Sequence, residues 1–180
     1  MMQALREICR TMTNMKFLSN TVEQTQSLGA QFAQYVQPGD VVLLIGDLGA
    51  GKTHFTQGLA KGLEIEQVPT SPTFNIMCVY EGGRMPLYHF DLYRLEDPEE
   101  LEDIDYFGVI ESDGVSLVEW GDRFEDAQPD ECLILDFTVL PTQERIIAAQ
   151  PVGARGQKLA EAFMRAQESV QGNGEGLAHE

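Results

Sequence analysis

Positive charge is scarce in this sequence, as are cysteine and histidine, and no long apolar run occurs. Only 12 lysines and arginines stand against 29 aspartates and glutamates, a formal net charge of −17. Such a field repels a phosphate backbone, so direct binding of a duplex or of tRNA is disfavoured. An acidic chain can still serve a nucleic acid by docking on a basic partner. Three cysteines, Cys9, Cys78 and Cys132, are scattered and form no C-x-x-C pair. This argues against a zinc site or a disulfide framework and predicts reduced thiols in the cytoplasm. His54, His89 and His179 are equally dispersed, which leaves a histidine metal cluster unsupported. Nothing approaches the roughly 18 apolar residues of a membrane span. Arg6, Arg10 and Lys16 have no apolar core behind them, so a signal peptide is not expected.

At 180 residues the chain suits one domain with a substantial core. Met1, Met2, Met12 and Met15 crowd the start. Residues 1–15 are expected to form a disordered extension, 16–168 the domain, and the Gly-rich polar stretch 169–180 a disordered tail. Within the domain, Leu28, Phe32, Tyr35 and Val36 fall on one face of a helix over 21–37, ended by Pro38-Gly39. Val41–Ile45 is an unbroken apolar run, as in a strand covered on both faces. A helix over 52–61 follows, then a hairpin of strands 74–80 and 85–90. Asp97-Pro98-Glu99-Glu100 reads as a helix start, with Asp97 as cap and Pro98 in the first turn. Residues 115–120, 132–139 and 145–149 suit strands, and 155–167 a closing helix with Leu159 and Phe163 inward. The order is mixed α/β.

Between the first apolar strand and its helix lies Gly46-Asp47-Leu48-Gly49-Ala50-Gly51-Lys52-Thr53, a match to G-x-x-x-x-G-K-[ST]. Glycines let the backbone wrap phosphate oxygens, and the amides and helix N-terminus supply the positive end. Lys52 would meet the β- and γ-phosphates, and the Thr53 hydroxyl would sit on Mg²⁺. The entering strand and leaving helix are the context this motif requires.

A P-loop enzyme also needs a carboxylate at the end of an apolar strand. Asp91, Glu119 and Asp136 all have that look, and pattern alone does not choose among them. Asp136 continues into Phe137-Thr138-Val139 and reads as mid-strand and outward. Glu119 precedes Trp120-Gly121, a strand end. His89, Asp91 and Tyr93 share one face if "HFDLYR" is extended, which makes a poor core and a plausible site. The plainer reading of His89 is a hydrogen-bonded, half-buried histidine, and of Tyr93 and Arg94 ordinary edge packing and a surface ion pair. Thr73, stiffened by Pro72, stands where a threonine could sense the γ-phosphate. There is no N-K-x-D for guanine, and Asp105-Tyr106-Phe107-Gly108 is only a weak D-x-x-G. A small-molecule kinase would need an arginine-bearing lid, and the arginines are scattered.

Together "GDLGAGKT" (46–53), "SPTF" (71–74), "YHFDLYRL" (88–95), "DPEEL" (97–101) and "LVEW" (117–120) resemble the TsaE family, also called YjeE. This is the P-loop ATPase family of bacterial tRNA threonylcarbamoyladenosine biosynthesis. The resemblance covers about residues 21–163. It implies a P-loop α/β sandwich with a mixed parallel and antiparallel sheet, and it implies ATP and Mg²⁺ at the loop. Thr53 and Glu119 would hold the metal, Asp91 would assist metal or water, Thr73 would be the switch threonine, and Trp120 would lie near the nucleotide. Partners would be TsaD-like and TsaB-like proteins, with tRNA reached indirectly and no membrane involved. His89, Tyr93 and Arg94 would face those partners. The family's hydrolysis supports turnover and does not make the threonylcarbamoyl bond.

Residues 102–107 look shorter than the family's segment. His54 stands where a small or hydroxyl residue is more usual. Residues 21–25 resemble the family's start and are expected near the adenine. Residues 91–113 hold ten carboxylates against Arg94 alone. They read either as a solvated face or as a docking surface for a basic partner that also handles tRNA. Two rival functions remain at this point, a small-molecule P-loop kinase and an ATP-dependent binding module without essential hydrolysis.

Overall fold

The computed structural model describes residues 15–174. The expected extension over 1–14, Cys9 and His179 lie outside the described residues. Seven strands form one sheet in the order β1-β7-β6-β2-β5-β4-β3. The centre is parallel: β2 (Val41–Ile45) pairs with β5 (Val115–Glu119) and β6 (Cys132–Val139), and β5 with β4 (Leu87–Asp91). Both edges are antiparallel, β3 (Met77–Tyr80) on β4, and β7 (Arg145–Val152) between β6 and β1 (Lys16–Ser19). The expected mixed-sheet sandwich is therefore what the chain folds into.

Side-chain alternation sends each central strand to two cores. Val42, Leu44, Leu117 and Leu133 face a cluster with α1 (Val22–Phe32), α2 (Lys52–Gly62) and α5 (Gly153–Gly174). Val41, Leu43, Val118 and Ile134 face a smaller one, closed by Leu101 of α3 (Glu100–Asp103) and by Tyr106 and Ile110 of α4 (Tyr106–Ile110). Burial on both faces is why β2 reads as an unbroken apolar run.

Several boundaries differ from the sequence expectation, each for a local reason. Strand β1 escapes notice because its alternation is inverted. Ser19 is buried and bonds Thr25 at 2.7 Å, whereas Leu18 is 47% exposed. Met15 belongs to the domain and not to an extension: it is buried, and its carbonyl accepts from Ala149 N at 2.8 Å. Helix α1 stops at Phe32, and the Arg84 guanidinium donates to the carbonyls of Ala33 and Val36 beyond it. Strand β3 begins at Met77 and not at 74. A turn on the Pro72 carbonyl and a positive φ at Ile76 (63°) hold the preceding residues out of the sheet. Asp97 caps as expected, its Oδ1 accepting from Glu99 N, while Glu100 Oε1 accepts from Asp97 N. The helix it starts lasts only four residues before Asp105, at φ 52°, breaks it. The polar stretch expected as a tail from 169 is helical through Gly174, because the apolar spacing of Leu159, Phe163 and Ala166 continues to Val170. No described helix is long and apolar enough to cross a membrane.

Candidate functional site

The parallel strands β2, β5 and β4 end at one edge of the sheet. Register sets Leu44 beside Glu119 and Glu119 beside Asp91. Glu119 and Asp91 are thus neighbouring strand-terminal acids, 4% and 2% exposed. From the same edge of β2 the chain enters the glycine loop. Gly46 takes φ 134°, and a Cβ there would stand 2.4 Å from the Phe137 carbonyl oxygen on β6. Only glycine lets the loop leave the strand so close to its neighbour. Gly51, at φ 109°, caps α2, so the helix's unsatisfied amides face the loop's interior.

Leu48, Gly49, Ala50, Gly51, Lys52, Thr53 and His54 line one wall of a cleft of about 200 Å³, with Ser71, Thr73, Asp91, Glu119 and Trp120 opposite. Lys52 is 4% exposed and donates to the carbonyls of Gly46 (2.6 Å) and Asp47 (3.1 Å). Burial pushes its pKa below the ordinary lysine value, and the charges of Glu119, Asp91 and Asp47 pull the other way. Thr53 Oγ1 donates to Glu119 Oε1 at 3.0 Å. Thr73 Oγ1 donates to Asp91 Oδ2 at 2.5 Å, and Ser71 Oγ to the same oxygen at 3.3 Å.

The expected single face of His89, Asp91 and Tyr93 is split by a 3-10 turn over Leu92–Arg94, started by Asp91 Oδ1 accepting from Tyr93 N. Tyr93 swings onto Trp120, ring centroids 5.0 Å apart, and is 53% exposed. Arg94 is exposed too, its guanidinium 5.0 Å from the ring of Phe74. Both are solvent-accessible, Tyr93 packed on a residue that lines the cleft. His89 corrects the expectation of a partner-facing role: it is wholly buried, with Nε2 2.9 Å from Glu119 Oε1. Beside a carboxylate acceptor this nitrogen donates, which steadies Glu119 from below. Trp120, at φ 58°, turns the chain off β5 and lays its ring 4.7 Å from Lys52 Nζ. Asp136 is mid-strand and exposed, as its flanking residues suggested, and lines no part of this cleft.

One participant, Ser71, and one contact, that of His89 with Glu119, were not singled out from sequence. Ser71 joins Asp91 because its alternation with Thr73 presents both hydroxyls, a signal visible in "SPT". The His89 contact to Glu119 depends on strand pairing 30 residues away and has no local signal.

In oxygen donors and shape the site fits a hard cation beside a phosphate chain: two buried carboxylates, a threonine hydroxyl and a lysine around a glycine loop. Magnesium is commonly held by one or two carboxylates with waters and phosphates rather than by a full protein cage. Among the described residues no group of three or more His, Cys, Asp or Glu forms such a cage.

The family model described as "Threonylcarbamoyl adenosine biosynthesis protein TsaE" matches residues 19–147. The tRNA threonylcarbamoyladenosine biosynthesis protein TsaE of Bacillus subtilis strain 168 is 41% identical over 154 residues, covering 86% of this chain and 96% of that protein. The protein of the same name from Treponema pallidum is 38% identical over 133 residues, covering 74% of this chain and 98% of its own. Among solved structures, Bacillus subtilis YdiB superposes with a TM-score of 0.70 at 37% identity, over 83% of this chain and 93% of that one. With the glycine loop, the paired acids and the mixed sheet all in one frame, the chain belongs to the TsaE family.

Proposed function

We propose that this chain is a Mg²⁺-dependent ATPase that supports threonylcarbamoyladenosine modification of tRNA. In this reading it sustains turnover of TsaD-like and TsaB-like partners and leaves formation of the threonylcarbamoyl bond to them. The observation that carries the reading is the convergence of Lys52, Thr53, Glu119, Asp91 and Thr73 on one cleft at the glycine loop. Lys52 would exchange its two loop carbonyls for β- and γ-phosphate oxygens, which offsets the burial of its charge. Thr53 and Glu119, already 3.0 Å apart, would hold the metal, with Asp91 alongside. A bound magnesium would neutralise charge on the phosphate oxygens. Asp91 can accept from a water and orient it, once Thr73 and Ser71 release its Oδ2. Trp120 walls the cleft, with the Tyr93 ring packed against it from outside.

The relatives' names support the pathway, and the net negative charge supports an indirect rather than a direct route to tRNA. Mg²⁺-ATPase assays test the chemistry. Lys52→Ala should abolish nucleotide binding or hydrolysis, and Glu119→Ala should lose Mg²⁺-dependent hydrolysis. Normal activity in both variants would refute the assignment. Reconstituted tRNA modification over many turnovers, with and without the chain, tests the role. A hydrolysis-dead, ATP-binding variant that gave full support would favour the binding module, and a phosphorylated metabolite would favour the kinase.

A further inference from the structure

Arg145 opens β7 and reaches back over the glycine loop. Its Nε donates to the carbonyl of Ala50 at 3.0 Å, across 95 residues of chain. Its Nε and Cδ also stand 3.1 and 3.2 Å from where a Cβ on Gly51 would lie. The loop's last glycine is therefore packed directly against this arginine. The guanidinium has five N–H donors. One is used on Ala50, and Nη1 makes only a long contact of 3.5 Å to the Gln143 carbonyl. Among the described residues no carboxylate lies within ion-pair distance of Arg145, whereas Arg155 holds Asp40 by two contacts of 2.6 Å. Arg84 and Arg123 answer carbonyls of a helix end and a loop. Among the described residues, Arg145 and Lys52 are the two cations whose carbonyl partners belong to the glycine loop.

Sheet order decides which end of a nucleotide this arginine meets. β5 and β6 flank β2 on opposite sides. The acids Glu119 and Asp91 lie on the β5 flank, and the Mg²⁺ and γ-phosphate end of a P-loop ligand goes with them. β6 runs parallel to β2, so the β6–β7 turn emerges beside the loop on the other flank. A nucleotide held with its γ-phosphate at the acids would extend its α-phosphate and ribose toward that flank. We propose that Arg145 is a nucleotide-binding residue for the α-phosphate–ribose end, with Nε anchored on Ala50 and its other N–H groups turned to the ligand. This rests on the nucleotide-binding reading of the loop.

Trp120 is the sole tryptophan and lies 4.7 Å from Lys52 Nζ, so its fluorescence reports titrations of ADP, ATP and inorganic pyrophosphate. Arg145→Gln should weaken ADP and ATP alike, by about 10- to 100-fold, with or without Mg²⁺. Arg145→Lys should recover part of that loss, and pyrophosphate affinity should not change. Equal nucleotide affinities in wild type and Arg145→Gln would overturn the proposal. An equal loss of pyrophosphate affinity would also overturn it, reducing Arg145 to a brace of the loop. A wild-type chain that binds neither nucleotide would overturn the underlying reading instead.

Discussion

Glu119 shows how one residue is made usable by its neighbours. It is 4% exposed, yet its Oε1 accepts from both Thr53 and His89. A buried carboxylate without such donors would be costly to keep ionised. His89 lines no part of the cleft, and in the proposed Mg²⁺-ATPase reading it acts through Glu119 as a positioning residue. His89→Ala should therefore lower Mg²⁺ affinity of the nucleotide complex by about 10- to 100-fold, the usual loss for a partner of a metal ligand. Nucleotide affinity measured in EDTA should stay near wild type, and His89→Gln, which keeps a donor, should recover part of the metal affinity. A loss of nucleotide affinity equal in EDTA and in Mg²⁺ would show that His89 serves only the core. His54, unusual just after the loop, lines the cleft, and its buried Nδ1 has no partner among the described residues. Nothing in the structure explains the choice of histidine there.

At the scale of elements, the loop's helix is held by its neighbour. α1 and α2 approach so closely that a Cβ on Gly58 would meet the Gln26 carbonyl oxygen at 1.9 Å, and one on Gly29 the Phe55 carbonyl oxygen at 2.3 Å. Helical propensity favours alanine over glycine at such positions by about 1 kcal/mol. Contact wins here, because the clash is backbone against backbone and cannot be relieved by a rotamer. Gly58→Ala should destabilise the fold by about 1–3 kcal/mol, seen as a lowered midpoint in urea unfolding. A neutral or stabilising result would mean that the two helices separate at little cost. The same close approach is why glycine is kept at position 29 inside α1 and at position 58 inside α2. The short α3 is the opposite case. Its cap was legible in Asp97-Pro98, but its length was not, because Asp105 ends it by a left-handed turn that no neighbouring letter announces.

At the scale of the whole molecule, eight of the ten carboxylates in residues 91–113 stand at the surface. Glu96, Asp97, Glu99, Glu102, Asp103, Asp105, Glu111 and Asp113 are exposed around α3 and α4. Two members of the run separate from it. Asp91 is buried in the cleft, and Glu100 is bound into the turn by the amides of Glu96 and Asp97. Charge reversal at Glu100 would therefore break the turn as well as change the field. Reversal at Glu99, Glu102 and Asp103 leaves that turn's bonds to Glu100 intact. In the docking reading the triple reversal should weaken affinity for the TsaD-like and TsaB-like partners, and wild-type binding should fall with added salt. Unchanged affinity in pull-down or calorimetric titration would leave the acidic face a solvated one.

The glycine loop, its lysine and threonine, and the apolar strand before it were determined by sequence alone, because a phosphate cradle is built from contiguous backbone and tolerates few residue types. The double burial of β2, the cap at Asp97 and the closing helix were legible for the same reason of local pattern. Pattern marked Asp136 as mid-strand and outward but did not choose between Asp91 and Glu119. Strand pairing brought both of these into one site, by setting them side by side at the edge where the loop leaves β2. Tertiary structure also buried His89 under Glu119 and carried Arg145 to the loop across 95 residues. Contacts of that kind depend on which strands lie next to each other, and no window of sequence contains both partners.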